Sequence, residues 1–116
     1  MKKVLFVDDE KINLMLFKVN FRSKFSVFTA ENAEEAIEIL QQEADIDVVV
    51  TDMKMPGIDG IEFARMVNSK FTGKDVYLLT GFGLLPEIEK AIEEGIIRNY
   101  LGKPLNFKEL ERIIAG

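Results

Sequence analysis

A chain of 116 residues with 47% apolar and 30% charged side chains can build one domain with a sizeable core and is too short for two. A net charge of −5 and a pI near 4.8 exclude nucleic-acid binding through a basic surface, which needs clustered Lys and Arg. With no Cys and no His, acid-base, metal and phosphoryl chemistry falls to Asp, Glu, Lys and Tyr.

Met1-Lys2-Lys3 before an apolar run looks like the start of a signal peptide, but Asp8-Asp9-Glu10 cuts that run short of an h-region. No stretch approaches the roughly 18 apolar residues of a membrane span. The expectation is a cytoplasmic protein with no membrane segment, forming a single domain over residues 1–116.

Residues 4–7 form a continuous apolar run, the pattern of a strand buried on both faces, and the run ends in Asp8-Asp9. Residues 11–22 place Leu14, Phe17 and Phe21 at helical spacing, with Leu16 beside them. Ile12, Met15 and Val19 form a second stripe on the same helix. Both stripes cannot face one sheet, so the second is either further core or a docking surface. Residues 25–30 read as a second strand, and Asn32 with Glu35 caps a helix through Ala36, Ile37 and Leu40.

The third strand, residues 47–51, ends at Asp52, and Pro56-Gly57 breaks the chain before a helix carrying Ile61, Phe63, Ala64 and Val67. A fourth strand, 76–79, ends at Thr80. The turn Gly81-Phe82-Gly83 leads to Pro86 in the first turn of a helix that Gly95 stops. A fifth strand is expected over 96–101, and Asn106 with Glu109 caps a last helix bearing Phe107, Leu110, Ile113 and Ile114. Five strands alternating with five helices predict an α/β fold, a parallel sheet with helices on both faces.

In such a sheet the carboxyl ends of the strands share one edge, and residues that punctuate them converge. Asp8, Asp9, Asp52, Thr80 and Lys103 are that set. Taken singly they are ordinary: an Asp at a strand end is commonly a turn or cap residue, Asp8-Asp9 an N-cap, Lys103 a solvated charge. Taken together they place three carboxylates in one crevice, where mutual repulsion calls for a cation. Oxygen donors without Cys or His favour Mg²⁺, or Mn²⁺, over zinc. A bound cation would let a carboxylate act as a nucleophile toward phosphorus, with Lys103 and Thr80 contacting phosphoryl oxygens.

Asp8-Asp9-Glu10, the stretch from Asp52 to Gly60, Thr80 and Tyr100-Leu101-Gly102-Lys103-Pro104 together resemble the receiver domain of two-component response regulators, along the whole chain. The resemblance implies a flavodoxin-like (βα)5 fold and Asp52 as an acceptor of phosphoryl groups from a histidine kinase or histidine phosphotransfer protein. It also implies Mg²⁺ held by Asp9, Asp52 and the backbone carbonyl of Lys54, with Asp8 acting through water. Thr80 and Tyr100 match the switch pair, Lys103 the phosphate-contacting lysine, and a cis bond is expected before Pro104. Phosphorylation would then reshape the face built from helix four, strand five and helix five, for a downstream protein target or a phosphorylation-dependent homodimer. Such a module catalyses only its own phosphorylation and dephosphorylation. By the same resemblance the stripe of Ile12, Met15 and Val19 is where kinases dock.

Three features depart from the family pattern. Lys54 stands two residues after the phosphoacceptor, Gly81 takes the place of the usual Ala, and the segment from Gly95 to Tyr100 is one residue longer. The alternative is a Mg²⁺-dependent phosphohydrolase with an aspartyl nucleophile, but that chemistry usually wants a second acid where Lys54 stands. A flavin binder would need Ser, Thr or Gly in the first loop, and Asp8-Asp9-Glu10 would repel a phosphate. Both a stand-alone regulator and a receiver of something larger fit this sequence.

Overall fold

The computed structural model describes residues 1–116, and strands and helices alternate throughout. In chain order they are β1 (Lys3–Val7), α1 (Lys11–Phe21), β2 (Ser26–Ala30), α2 (Ala33–Gln42), β3 (Val48–Asp52), α3 (Gly60–Lys70), β4 (Asp75–Thr80), α4 (Pro86–Glu93), β5 (Asn99–Gly102) and α5 (Phe107–Ala115). All strand pairs are parallel and the spatial order is β2-β1-β3-β4-β5. Chain direction across the sheet reverses between β1 and β3, which opens a crevice at their carboxyl ends.

Alternating side chains feed two separate cores. Leu5, Val7, Val49, Val76 and Leu78 point toward α2, α3 and α4. Val4, Phe6, Val48, Val50, Leu79 and Leu101 point toward α1 and α5. On that second side Phe17 of α1 stacks on Phe6 with centroids 4.1 Å apart. Both Asx caps read from sequence form: Asn32 accepts from the Glu35 N–H at 2.8 Å and Asn106 from the Glu109 N–H at 3.1 Å. A third cap, Asp59 accepting from Glu62 N–H at 2.8 Å, opens α3. The Lys103–Pro104 bond is cis.

Three expectations need correction. The fifth strand occupies Asn99–Gly102 rather than 96–101. Gly95 takes a φ of +75°, and the N–H groups of Ile96 and Ile97 donate to the Ala91 carbonyl, so this apolar pair folds under the end of α4, with Ile97 buried in the core. An apolar run next to a Gly stop signal suits a helix terminus as well as a strand. Phe25 belongs to the turn before β2, its N–H bonded to the Phe21 carbonyl. Leu16 lies outside the core stripe of α1, 46% exposed.

Candidate functional site

The crevice begins with two chain ends of the sheet. β1 carries Asp8 and Asp9 into the loop before α1, and β3, buried along its whole length, ends on Asp52. Carboxylate oxygens of Asp8, Asp9 and Asp52 all lie within 4.8 Å of one another. Asp8 and Asp52 are buried and Asp9 is exposed. Lys103, from the loop after β5, places its ammonium 2.8 Å from Asp52 Oδ1.

Asp8 is held by two donors, the Glu10 N–H at 2.9 Å and the Asn13 side-chain amide at 3.1 Å. Burial pushes its carboxyl above the ordinary range and the Asp52 charge adds to that; the two hydrogen bonds and Lys103 oppose the shift without cancelling it. Three carboxylates that bring an oxygen each within 4.8 Å of the others, with no Cys or His among them, form the all-oxygen donor set that suits Mg²⁺.

The loop after β3 is pinned by Met53 and Met55, both buried among α2, α3 and α4, and Lys54 between them faces outward at the pocket. Its ammonium lies 5.4 Å from the centre of the Phe82 ring. Thr80 is buried at the end of β4, and its hydroxyl accepts from the Phe82 N–H at 3.0 Å. Thr80 pairs with Gly102 and Leu78 with Tyr100, so Thr80 and Tyr100 share the α4 side of the sheet one diagonal step apart. Tyr100 is half-buried against that core. A cavity of about 300 Å³ is bounded by Asp9, Asp52, Lys54, Thr80, Phe82 and Lys103, large enough for a phosphoryl group and part of a donor.

The structure therefore gathers Asp9, Asp52, Lys54, Thr80 and Lys103 around one pocket, sets Asp8 beside it in the carboxylate cluster, and places Tyr100 on the same side of the sheet as Thr80. It also adds residues that sequence reasoning missed. A Cβ on Gly60 would run into the Asp52 carbonyl oxygen and come within 2.8 Å of Leu78, so only glycine lets α3 start against the end of β3. Asn13 had no signal beyond its place on the first turn of α1. Phe82 was visible only as one residue of a glycine-rich turn.

A family model described as the response regulator receiver domain matches residues 4–115. Sporulation initiation phosphotransferase F from Bacillus subtilis is 32% identical over 110 residues, covering 94% of this chain and 87% of that protein. A response regulator receiver domain protein from Clostridium thermocellum superposes with a TM-score of 0.91 at 33% identity, covering 99% of this chain and 92% of its own. Chemotaxis protein CheY4 of Vibrio cholerae does so with a TM-score of 0.86 at 28% identity, covering 99% and 97%. Other relatives are longer: the chain spans 33% of the transcriptional regulatory protein YesN of Bacillus subtilis, to which it is 34% identical over 99% of its own length. The chain belongs to the response regulator receiver domains of two-component systems. Members of this family are signalling modules that bind Mg²⁺ at an acidic Asp cluster and interact with histidine kinases or other phosphodonors and with downstream effectors. No helix is long and apolar enough to cross a membrane.

Proposed function

We propose that Asp52 is the phosphoacceptor of a cytoplasmic receiver module comprising residues 1–116. The observation that carries this is the buried Asp52 carboxylate, paired with Lys103 at 2.8 Å and clustered within 4.8 Å of the Asp8 and Asp9 carboxylates. An Asp52 oxygen bonds to the phosphorus of a phosphohistidine as the P–N bond breaks. The electron pair stays on the imidazole nitrogen, which takes a proton from water. Hydrolysis reverses the charge flow: water adds to phosphorus, the Asp52 carboxylate leaves, and inorganic phosphate is released.

Asp8, Asp9 and Asp52, with the Lys54 carbonyl, would hold Mg²⁺, which when bound neutralises the charge of the phosphoryl oxygens. Lys103 moves from the Asp52 carboxylate to a phosphoryl oxygen, a charge-assisted hydrogen bond that needs little displacement from its resting place. Thr80 donates its hydroxyl to another oxygen, which vacates space for Tyr100 to turn inward and reshapes the face of α4, β5 and α5. The donor is a histidine kinase or histidine phosphotransfer protein seated on α1. Ile12, Met15 and Val19 are 65%, 63% and 57% exposed, which favours docking over core packing. The relative called a phosphotransferase favours a relay role for this chain as well.

The test is incubation with Mg²⁺ and acetyl phosphate followed by intact-mass analysis. Wild type is expected to gain one labile phosphoryl group and Asp52→Asn none. An adduct that persists in Asp52→Asn, or none in wild type, overturns the proposal.

A further inference from the structure

Phe82 is a large apolar side chain left 60% exposed at the mouth of the Asp52 pocket. Two contacts of different kinds hold it there. Its backbone N–H donates to the Thr80 hydroxyl at 3.0 Å, and its ring lies under the Lys54 ammonium, 5.4 Å from the centroid. Lys54 comes from the loop after β3 and Phe82 from the loop after β4, so the pair bridges the pocket mouth. Gly81 has nothing within 4 Å of where a Cβ would be, and Gly83 has a φ of +74°, so neither neighbour anchors the loop through a side chain.

Both tethers are groups that a phosphoryl group on Asp52 would compete for. It brings close to two negative charges and three strong acceptor oxygens into the pocket that Lys54 and Thr80 line. A Thr80 hydroxyl turned toward a phosphoryl oxygen leaves the position in which it accepts from Phe82 N–H. An ammonium attracted to a phosphoryl dianion gives up a cation–π contact that is weak at an exposed site. The geometry points to Phe82 as a side chain released by phosphorylation: at rest Lys54 and Thr80 clasp it across the pocket mouth, and phosphorylated Asp52 takes both tethers and frees the ring. This rests on the phosphoacceptor reading of Asp52. It makes the 81–83 segment a second mobile output of the switch, separate from the Tyr100 ring.

The chain contains no Trp, so Phe82→Trp installs its only tryptophan, excited selectively over the two Tyr, at an exposed position while keeping a strong cation–π partner. The variant is incubated with Mg²⁺ and acetyl phosphate, and acrylamide quenching and intact mass are read on the same samples. Adduct formation is expected to raise the quenching constant by up to about 1.5-fold, the room left by a ring already 60% exposed at rest. Adding Lys54→Met is expected to give a similar rise before any phosphodonor is present. In wild type, amide hydrogen exchange at Phe82 should accelerate on phosphorylation, which reads the Thr80 tether without altering the ring. An adduct with unchanged quenching and unchanged Phe82 exchange, or a resting state insensitive to Lys54→Met, overturns the clasp and leaves Asp52 as phosphoacceptor. Absence of any adduct overturns both.

Discussion

The carboxylate crevice and the edge formed by α4 and β5 belong to one sheet but are held very differently. β1 and β3, whose ends carry the acids, are central strands buried along almost their whole length. β5 is a four-residue edge strand in which only Leu101 is fully buried, and α4 is eight residues anchored by Ile88 and Ala91. Like charges stay clustered only on a support that cannot spread, whereas an element that responds must be cheap to move. The difference teaches that charge is fixed where packing is deepest and response is assigned where packing is thinnest.

Gly60→Ala attacks the rigid side of that contrast most directly. The added Cβ meets the Asp52 carbonyl and Leu78, so unfolding free energy should fall by about 1–3 kcal/mol, with slower phosphorylation from a displaced Asp52. Denaturant titration giving no loss would mean that the crevice is as yielding as the edge.

Asp8→Asn tests the electrostatic cost of the cluster. The folded-state pKa of Asp8 is raised from 3.8, so without a cation the wild type binds its proton more tightly folded than unfolded. The stability of the wild type therefore falls as pH rises from about 3.8 through the raised value, and remains lower above it. In EDTA at neutral pH, Asp8→Asn should be the more stable protein, and its advantage should vanish as the pH is lowered through that window. Mg²⁺ at ten times its Kd should return about 1.4 kcal/mol to the wild type. Thermal melts across pH, with and without Mg²⁺, check both signs.

The smallest effect on stability is expected on α1. Met15→Gln at an exposed position should change unfolding free energy by less than about 0.5 kcal/mol. Phosphotransfer from a protein donor should slow several-fold while acetyl phosphate still labels Asp52 at the wild-type rate. Equal rates from both donors would remove the stripe from the docking surface.

Much of this was legible in the chain. Continuous apolar runs marked the buried strands, and the Asn-x-x-Glu signals marked two helix starts, because a cap is a local bond whose partners are three residues apart. The acids at strand ends marked the crevice once five strands were placed in parallel. Less legible was the segment 96–98, where an apolar run with a preceding glycine serves a helix end and a strand equally well. The need for glycine at position 60 leaves no local signal, because its constraint is a backbone oxygen eight residues earlier in sequence, brought close by the fold.

By itself the sequence determined the element order, the parallel sheet and the family, since these follow from periodicity, punctuation and residue identity. Only the tertiary structure decided that Leu16 faces outward with the second stripe of α1, that Asp8 is held by Glu10 and Asn13, and that Lys54 reaches Phe82 across the pocket. Contacts such as Lys54 with Phe82 at 5.4 Å and Lys103 with Asp52 at 2.8 Å join side chains of different loops, and such meetings are fixed by how helices pack on the sheet rather than by spacing along the chain.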